Sequence, residues 1–215
     1  MIINLKYLYL YLGLLLYFTE KNLMDGKEQQ LRILVGVTGS VASIKLLALV
    51  AELQKIAEVR IVSTAAAEHF WKDLALPQDV RVYKDIDEWN TWQKMGDAVL
   101  HIELRRWANI FVVAPLDANT MAKIAHGQCD NLLTCVARCW DVRRGTMIVA
   151  PAMNTFMWDH PITEIQVQML RESGIDVINP IVKKLACGDI GTGAMVEVST
   201  IVERVNEIRN KFCNP

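Results

Sequence analysis

From Leu31 onward, short runs dense in Val, Ile and other apolar residues alternate with segments of helical spacing, and this alternation is what most limits the folds open to the chain. The runs Arg32 to Val37, Val59 to Ser63, Asn109 to Ala114, Thr146 to Ala150 and Asp176 to Asn179 predict strands, with a shorter one near Val80 to Tyr83. Between them the spacing predicts helices near Val41 to Ala57, Ala65 to Trp71, Asn119 to His126, Asn131 to Trp140 and Ile162 to Ser173, with a last one from Ser199 to Lys211. Runs that are apolar throughout need cover on both faces, so the pattern predicts a parallel sheet with helices on each side. The expected fold class is α/β, a doubly wound parallel sheet of flavodoxin-like or Rossmann-like type, in a single domain over residues 31–212. No repeat, low-complexity tract or linker suggests a second domain. A chain of 215 residues that is 52% hydrophobic and 22% charged can bury one substantial core.

Charge and cysteine usage narrow the function classes. A formal net charge of -1, without a basic stripe, gives no general attraction to nucleic acid. Cys129, Cys135, Cys139, Cys187 and Cys213 are odd in number and lack metal-ligand spacing, which predicts a reducing, cytoplasmic setting rather than a disulfide framework. His69, His126 and His160 add no metal-ligand pattern, so no metal is expected. Tyr7 to Phe18 is an apolar run too short to span a bilayer comfortably, and no small-x-small cleavage site follows it before Thr19-Glu20-Lys21. The run has the length of a signal-peptide core, but residues 1–24 are expected to be an upstream extension or the product of a misassigned start rather than a secretory signal, with no stable membrane insertion.

Three loops follow apolar strands, and in an open α/β sheet the carboxyl ends of the strands are where ligands bind. In Gly36-Val37-Thr38-Gly39-Ser40-Val41-Ala42 a turn leads straight into a helix, whose first amides and the Ser40 hydroxyl can hold a phosphate. G-x-G-x-x-G spacing is missing, and the second strand ends in Ser63-Thr64 rather than an acid that could bind a ribose hydroxyl. A mononucleotide therefore fits better than a dinucleotide; the alternative is a glycine turn used only for packing. Ala114-Pro115-Leu116-Asp117-Ala118-Asn119-Thr120 brings polar groups to the same edge, or else Asp117 simply caps a helix. Pro151-Ala152-Met153-Asn154-Thr155-Phe156-Met157-Trp158 puts the neutral Asn154 amide there, able to orient a carboxylate or to cap the chain. His101 follows Val99-Leu100 and precedes a mixed apolar and charged turn, and an imidazole is a side chain suited to proton transfer. A lone His is more often a structural hydrogen-bonding residue. Lys184 to Met195, with three glycines and Cys187, reads as a mobile loop able to close over a substrate, or as a plain surface loop.

These segments, with Ala186-Cys187-Gly188-Asp189, occur in an order that resembles the phosphopantothenoylcysteine decarboxylases, FMN-dependent flavoproteins of coenzyme A synthesis, from about Ile33 to about Val205. The resemblance implies conversion of 4'-phosphopantothenoylcysteine to 4'-phosphopantetheine and carbon dioxide. The cysteinyl carbon and sulfur would be oxidised to a thioaldehyde, decarboxylated to an enethiolate and then reduced. It implies FMN contacts from Gly39, Ser40, Val41, Thr64, Asp117, Ala118, Asn119, Thr120 and Ala152, although many relatives have Ser at the position of Asp117. His101 would act as base, Asn154 would orient the substrate, and Cys187 would donate the final proton. Lys184, Ala186 and Met195 match substrate-holding positions. A homotrimer with sites at subunit boundaries is also implied. Three relatives of the fold are the alternatives: peptidyl-cysteine decarboxylases, flavin prenyltransferases and a phosphatase-regulatory binding module. Cys187 argues against the first two, and the joint presence of His101, Asn154 and Cys187 without an acidic tail argues against the third.

Overall fold

The computed structural model describes residues 30–143, 145–185 and 188–213, with side chains described through Asn210. The expected extension over residues 1–24, and two of the expected site residues, Ala186 and Cys187, lie outside the described residues.

Six strands form one parallel sheet: β1 Arg32–Val37, β2 Glu58–Ser63, β3 Arg81–Tyr83, β4 Ile110–Leu116, β5 Thr146–Pro151 and β6 Asp176–Val177. Their order is β3-β2-β1-β4-β5-β6, the Rossmann-like order. The chain winds outward from β1 to β3 and returns to β4 on the other side of β1, so the loops after β1 and β4 diverge and leave a crevice between them.

Residue alternation explains why both faces are covered. Ile33, Val35 and Val37 of β1 and Ile110, Val112 and Ala114 of β4 belong to one buried cluster. That cluster packs on α1 (Leu46–Gln54) and α9 (Val198–Cys213) through Leu49, Leu53, Ile201 and Val205. Leu34, Phe111, Val113, Met147 and Val149 point to the opposite cluster. There they meet α4 (Leu100–Trp107), α5 (Ala118–Ala125), α6 (Leu132–Arg138) and α8 (Pro161–Glu172) through Leu104, Met121, Leu133 and Val167. Each such fully buried side chain contributes about 1.5–3 kcal/mol through area removed from water.

The remaining elements are α2 (Ala65–Trp71), α3 (Asp85–Thr91), α7 (Thr155–Trp158) and an antiparallel pair, β7 (Ile181–Lys184) with β8 (Ile190–Ala194). Three expectations change here. The helix expected from Val41 opens as a 3-10 turn, Val41–Lys45, before α1, and the residues around His101 form helix α4 rather than a turn. The expected mobile loop over Lys184 to Met195 is largely a hairpin, and the amide of Met153 donates to the carbonyl of its Gly193 at 2.9 Å. At φ 142° Gly193 lies where other residues rarely sit, and a Cβ on it would run into the Met153 carbonyl oxygen. Among the described residues no helix is long and apolar enough to cross a membrane.

Candidate active site

Thr38, fully buried, ties the two diverging loops together. Its hydroxyl donates to the Pro115 carbonyl at 2.8 Å and accepts from the Asp117 amide at 2.7 Å, while the Ser43 hydroxyl donates to the Thr38 carbonyl at 2.8 Å. A buried hydroxyl that both donates and accepts is fully used, so this staple holds the crevice in register.

A cavity of about 740 Å³ opens at this switch point. Its first wall is the loop after β1, where Ser40 caps the 3-10 turn by accepting from the Ala42 amide at 3.4 Å. Gly39 beside it has no room for a side chain, since a Cβ would sit 2.7 Å from that of Ala66 and 3.0 Å from Asp117 Oδ2. The second wall is Asp117, Ala118 and Asn119 at the start of α5. Asp117 serves as the helix cap, accepting from the Thr120 amide at 2.7 Å, and lines the cavity as well. Asn154 likewise does two things: its Oδ1 accepts from the Phe156 amide at 2.8 Å to cap α7, and the residue borders the cavity beside Ala152.

The hairpin closes the far side. Lys183, Lys184 and Met195 border the cavity there, with Lys45 across from them. Lys45 and Lys183 share one carboxylate, Glu197, at 3.1 Å and 2.8 Å. Hydrogen bonds from the two lysines hold the Glu197 carboxyl below its usual range, so it is ionised at neutral pH and can neutralise only one of them.

The cavity thus gathers Gly39, Ser40, Val41, Asp117, Ala118, Asn119, Ala152, Asn154, Lys184 and Met195 of the expected site. It does not gather Thr64, Thr120 or His101. Thr64 is 6% exposed and caps α2 through the Ala67 amide; Thr120 is 1% exposed in the first turn of α5. Both belong to the turns that flank the cavity. His101 stands apart at the first turn of α4, its ring 2.7 Å from Glu88 of α3. Nothing in the sequence marks Phe70, Met157, Lys45 and Lys183 as cavity neighbours, because only folding brings α2, α7 and the hairpin to this edge.

A doubly wound sheet with a phosphate-suited turn and one cavity of mononucleotide size at its switch point defines an α/β protein of the mononucleotide-binding class. The chain belongs to the Flavoprotein family, whose model matches residues 22–210. Phosphopantothenoylcysteine decarboxylase HAL3a of Glycine max is 52% identical over 186 residues, covering 86% of this chain and 88% of the relative. A solved PPC decarboxylase mutant complexed with pantothenoylaminoethenethiol superposes with TM-score 0.83 at 52% identity, over 85% of this chain and 100% of that one. The FMN binding protein AtHal3 superposes with TM-score 0.80 at 52% identity, over 85% of this chain and 98% of that one.

Proposed function

We propose that this protein is an FMN-dependent decarboxylase that converts 4'-phosphopantothenoylcysteine to 4'-phosphopantetheine in coenzyme A biosynthesis. One observation carries it: a cavity walled by Ser40, Asn119 and Asn154 at the switch point of a chain 52% identical to a phosphopantothenoylcysteine decarboxylase. The residues present fit FMN. Gly39 lets the turn pack closely on Ala66 and Asp117, and the Ser40 hydroxyl accepts only one long bond, so its proton remains available to a phosphate. Once bound, FMN supplies the electron sink that a simple amino-acid carboxylate lacks.

The protein's own part is binding, orientation and proton handling. Gly39, Ser40, Val41, Asp117, Ala118, Asn119 and Ala152, with Thr64 and Thr120 beside them, hold the cofactor, and Asn154 orients the substrate carboxylate and amide without adding charge. The ammonium of Lys184 faces the substrate phosphate, with Ala186 and Met195 beside the substrate. His101 takes the proton released in the oxidation, and Cys187 returns one in the reduction.

His101 does not border the cavity of its own chain, and Ile86, Trp89, Trp92 and Met95 form an exposed apolar stretch just before it, Trp89 being 72% exposed. Contact with a second copy would cover that stretch and carry His101 to a neighbour's cavity, which supports a homotrimer with active sites at its subunit boundaries. The free thiols Cys129, Cys135 and Cys139 suit a cytoplasmic setting. Burial pushes the Cys135 thiol up to about 11, the profile of a structural rather than a reactive cysteine.

The test is turnover. Purified FMN-loaded protein given 4'-phosphopantothenoylcysteine should release carbon dioxide and yield phosphopantetheine by mass spectrometry; no release would refute the proposal. Because the sheet begins at Arg32, deletion through Leu23 should leave turnover unchanged and a trimer mass by light scattering. An inactive or monomeric truncated protein would contradict the assigned domain boundary and assembly.

A further inference from the structure

Both oxygens of one carboxylate are spent on His101. Glu88 Oε2 accepts the backbone N–H of His101 at 3.1 Å, and Glu88 Oε1 lies 2.7 Å from the ring Nδ1. Val99, the residue preceding α4, provides no side-chain cap, so Glu88 supplies from α3 an acceptor that the start of α4 lacks. The pair is sheltered, with 17% of the Glu88 side chain and 26% of that of His101 exposed. Cys139 lies behind it, its thiol 3.8 Å from the His101 carbonyl, and burial keeps that thiol protonated beside the pair.

An ionised carboxylate can only accept hydrogen bonds, so an Nδ1 held 2.7 Å from it carries the proton. In the neutral ring Nε2 is then bare and turned away from Glu88. We infer that Glu88 is a positioning residue for the decarboxylation: it fixes the tautomer and direction of His101 so that Nε2 is the atom that takes the substrate proton. This rests on the proton-carrying role proposed for His101, and it adds a residue 13 positions away on another helix that no local motif marks.

Glu88→Gln separates chemistry from structure. The glutamine oxygen can still accept the His101 backbone N–H, keeping the start of α4 capped, while its NH2 group faces Nδ1. The ring must then accept at Nδ1 and carry its proton on Nε2, where a base is needed. The chain has four histidines, so the imidazole 15N spectrum of the FMN-loaded protein is readable, and His101→Asn identifies the His101 signals by their loss.

The wild type should show a protonated Nδ1 and a bare Nε2, and Glu88→Gln the reverse. The kcat of Glu88→Gln should fall about 100-fold or more, the scale of positioned acid–base catalysis, with KM and the flavin spectrum unchanged. Glu88→Asp, which keeps the carboxylate on a shorter arm, should hold the wild-type tautomer and recover part of the rate; it carries the test if the glutamine variant does not fold. A wild-type tautomer or undiminished kcat in Glu88→Gln would overturn the inference, as would a Glu88→Asp protein as slow as Glu88→Gln. Full activity in His101→Asn would instead overturn the base role on which it rests.

Discussion

His101→Asn should leave 4'-phosphopantothenoylcysteine unconverted while FMN still binds. Asparagine fills similar space and can hydrogen-bond, but it cannot exchange a proton near neutral pH, so the rate should drop by about 10²–10⁴-fold. Flavin affinity should survive because the substitution leaves the Ser40 and Asn119 walls of the cavity untouched. Cys187→Ser should fail differently. Oxidation and decarboxylation need no thiol donor, so that variant should release carbon dioxide and stop at an enethiol two hydrogens short of phosphopantetheine. Mass spectrometry of single-turnover reactions separates the two outcomes. Normal carbon dioxide release by His101→Asn would remove the base assignment, and phosphopantetheine made at the normal rate by Cys187→Ser would remove the donor assignment.

Ser40→Asp should abolish the hold on FMN at working concentrations. Aspartate is as good a helix cap as serine, so the turn before α1 should persist. A carboxylate about 4 Å from a phosphate charge costs about 4 kcal/mol at an effective dielectric near 20, or about a thousandfold in affinity. Flavin titration followed by fluorescence measures this, and thermal melting of the cofactor-free protein checks that the fold is intact. Unchanged affinity would mean that the phosphate lies elsewhere.

The sheet was legible because its strands are buried on both faces: β1 and β4 are apolar runs ended by turn residues, and helices on both sides of a parallel sheet cover such strands. The loops at its carboxyl edge were legible for the same reason, since strand ends locate them. Asp117 and Asn154 show where type alone misleads. Capping and cavity lining looked like alternatives in the sequence, and each residue does both.

Helix α4 was missed because it buries only Leu100 and Leu104, one turn apart, among charged residues and without a capping side chain. In the sequence the β7–β8 hairpin looks like a mobile loop because glycines at 188, 191 and 193 suggest freedom. Its outer strand positions are exposed and carry no alternating pattern, and it is anchored instead by the bond from Met153 to Gly193. Glu88 was invisible for a further reason: its partner is set by how α3 meets α4, which nothing in either segment encodes alone.

The visible absorption spectrum of the purified protein shows whether the cavity between the Ser40 and Asn119 loops is a flavin site. The protein should be yellow, with a bound-flavin spectrum, and should release FMN on denaturation. Colourless protein that takes up no FMN on reconstitution would contradict the account.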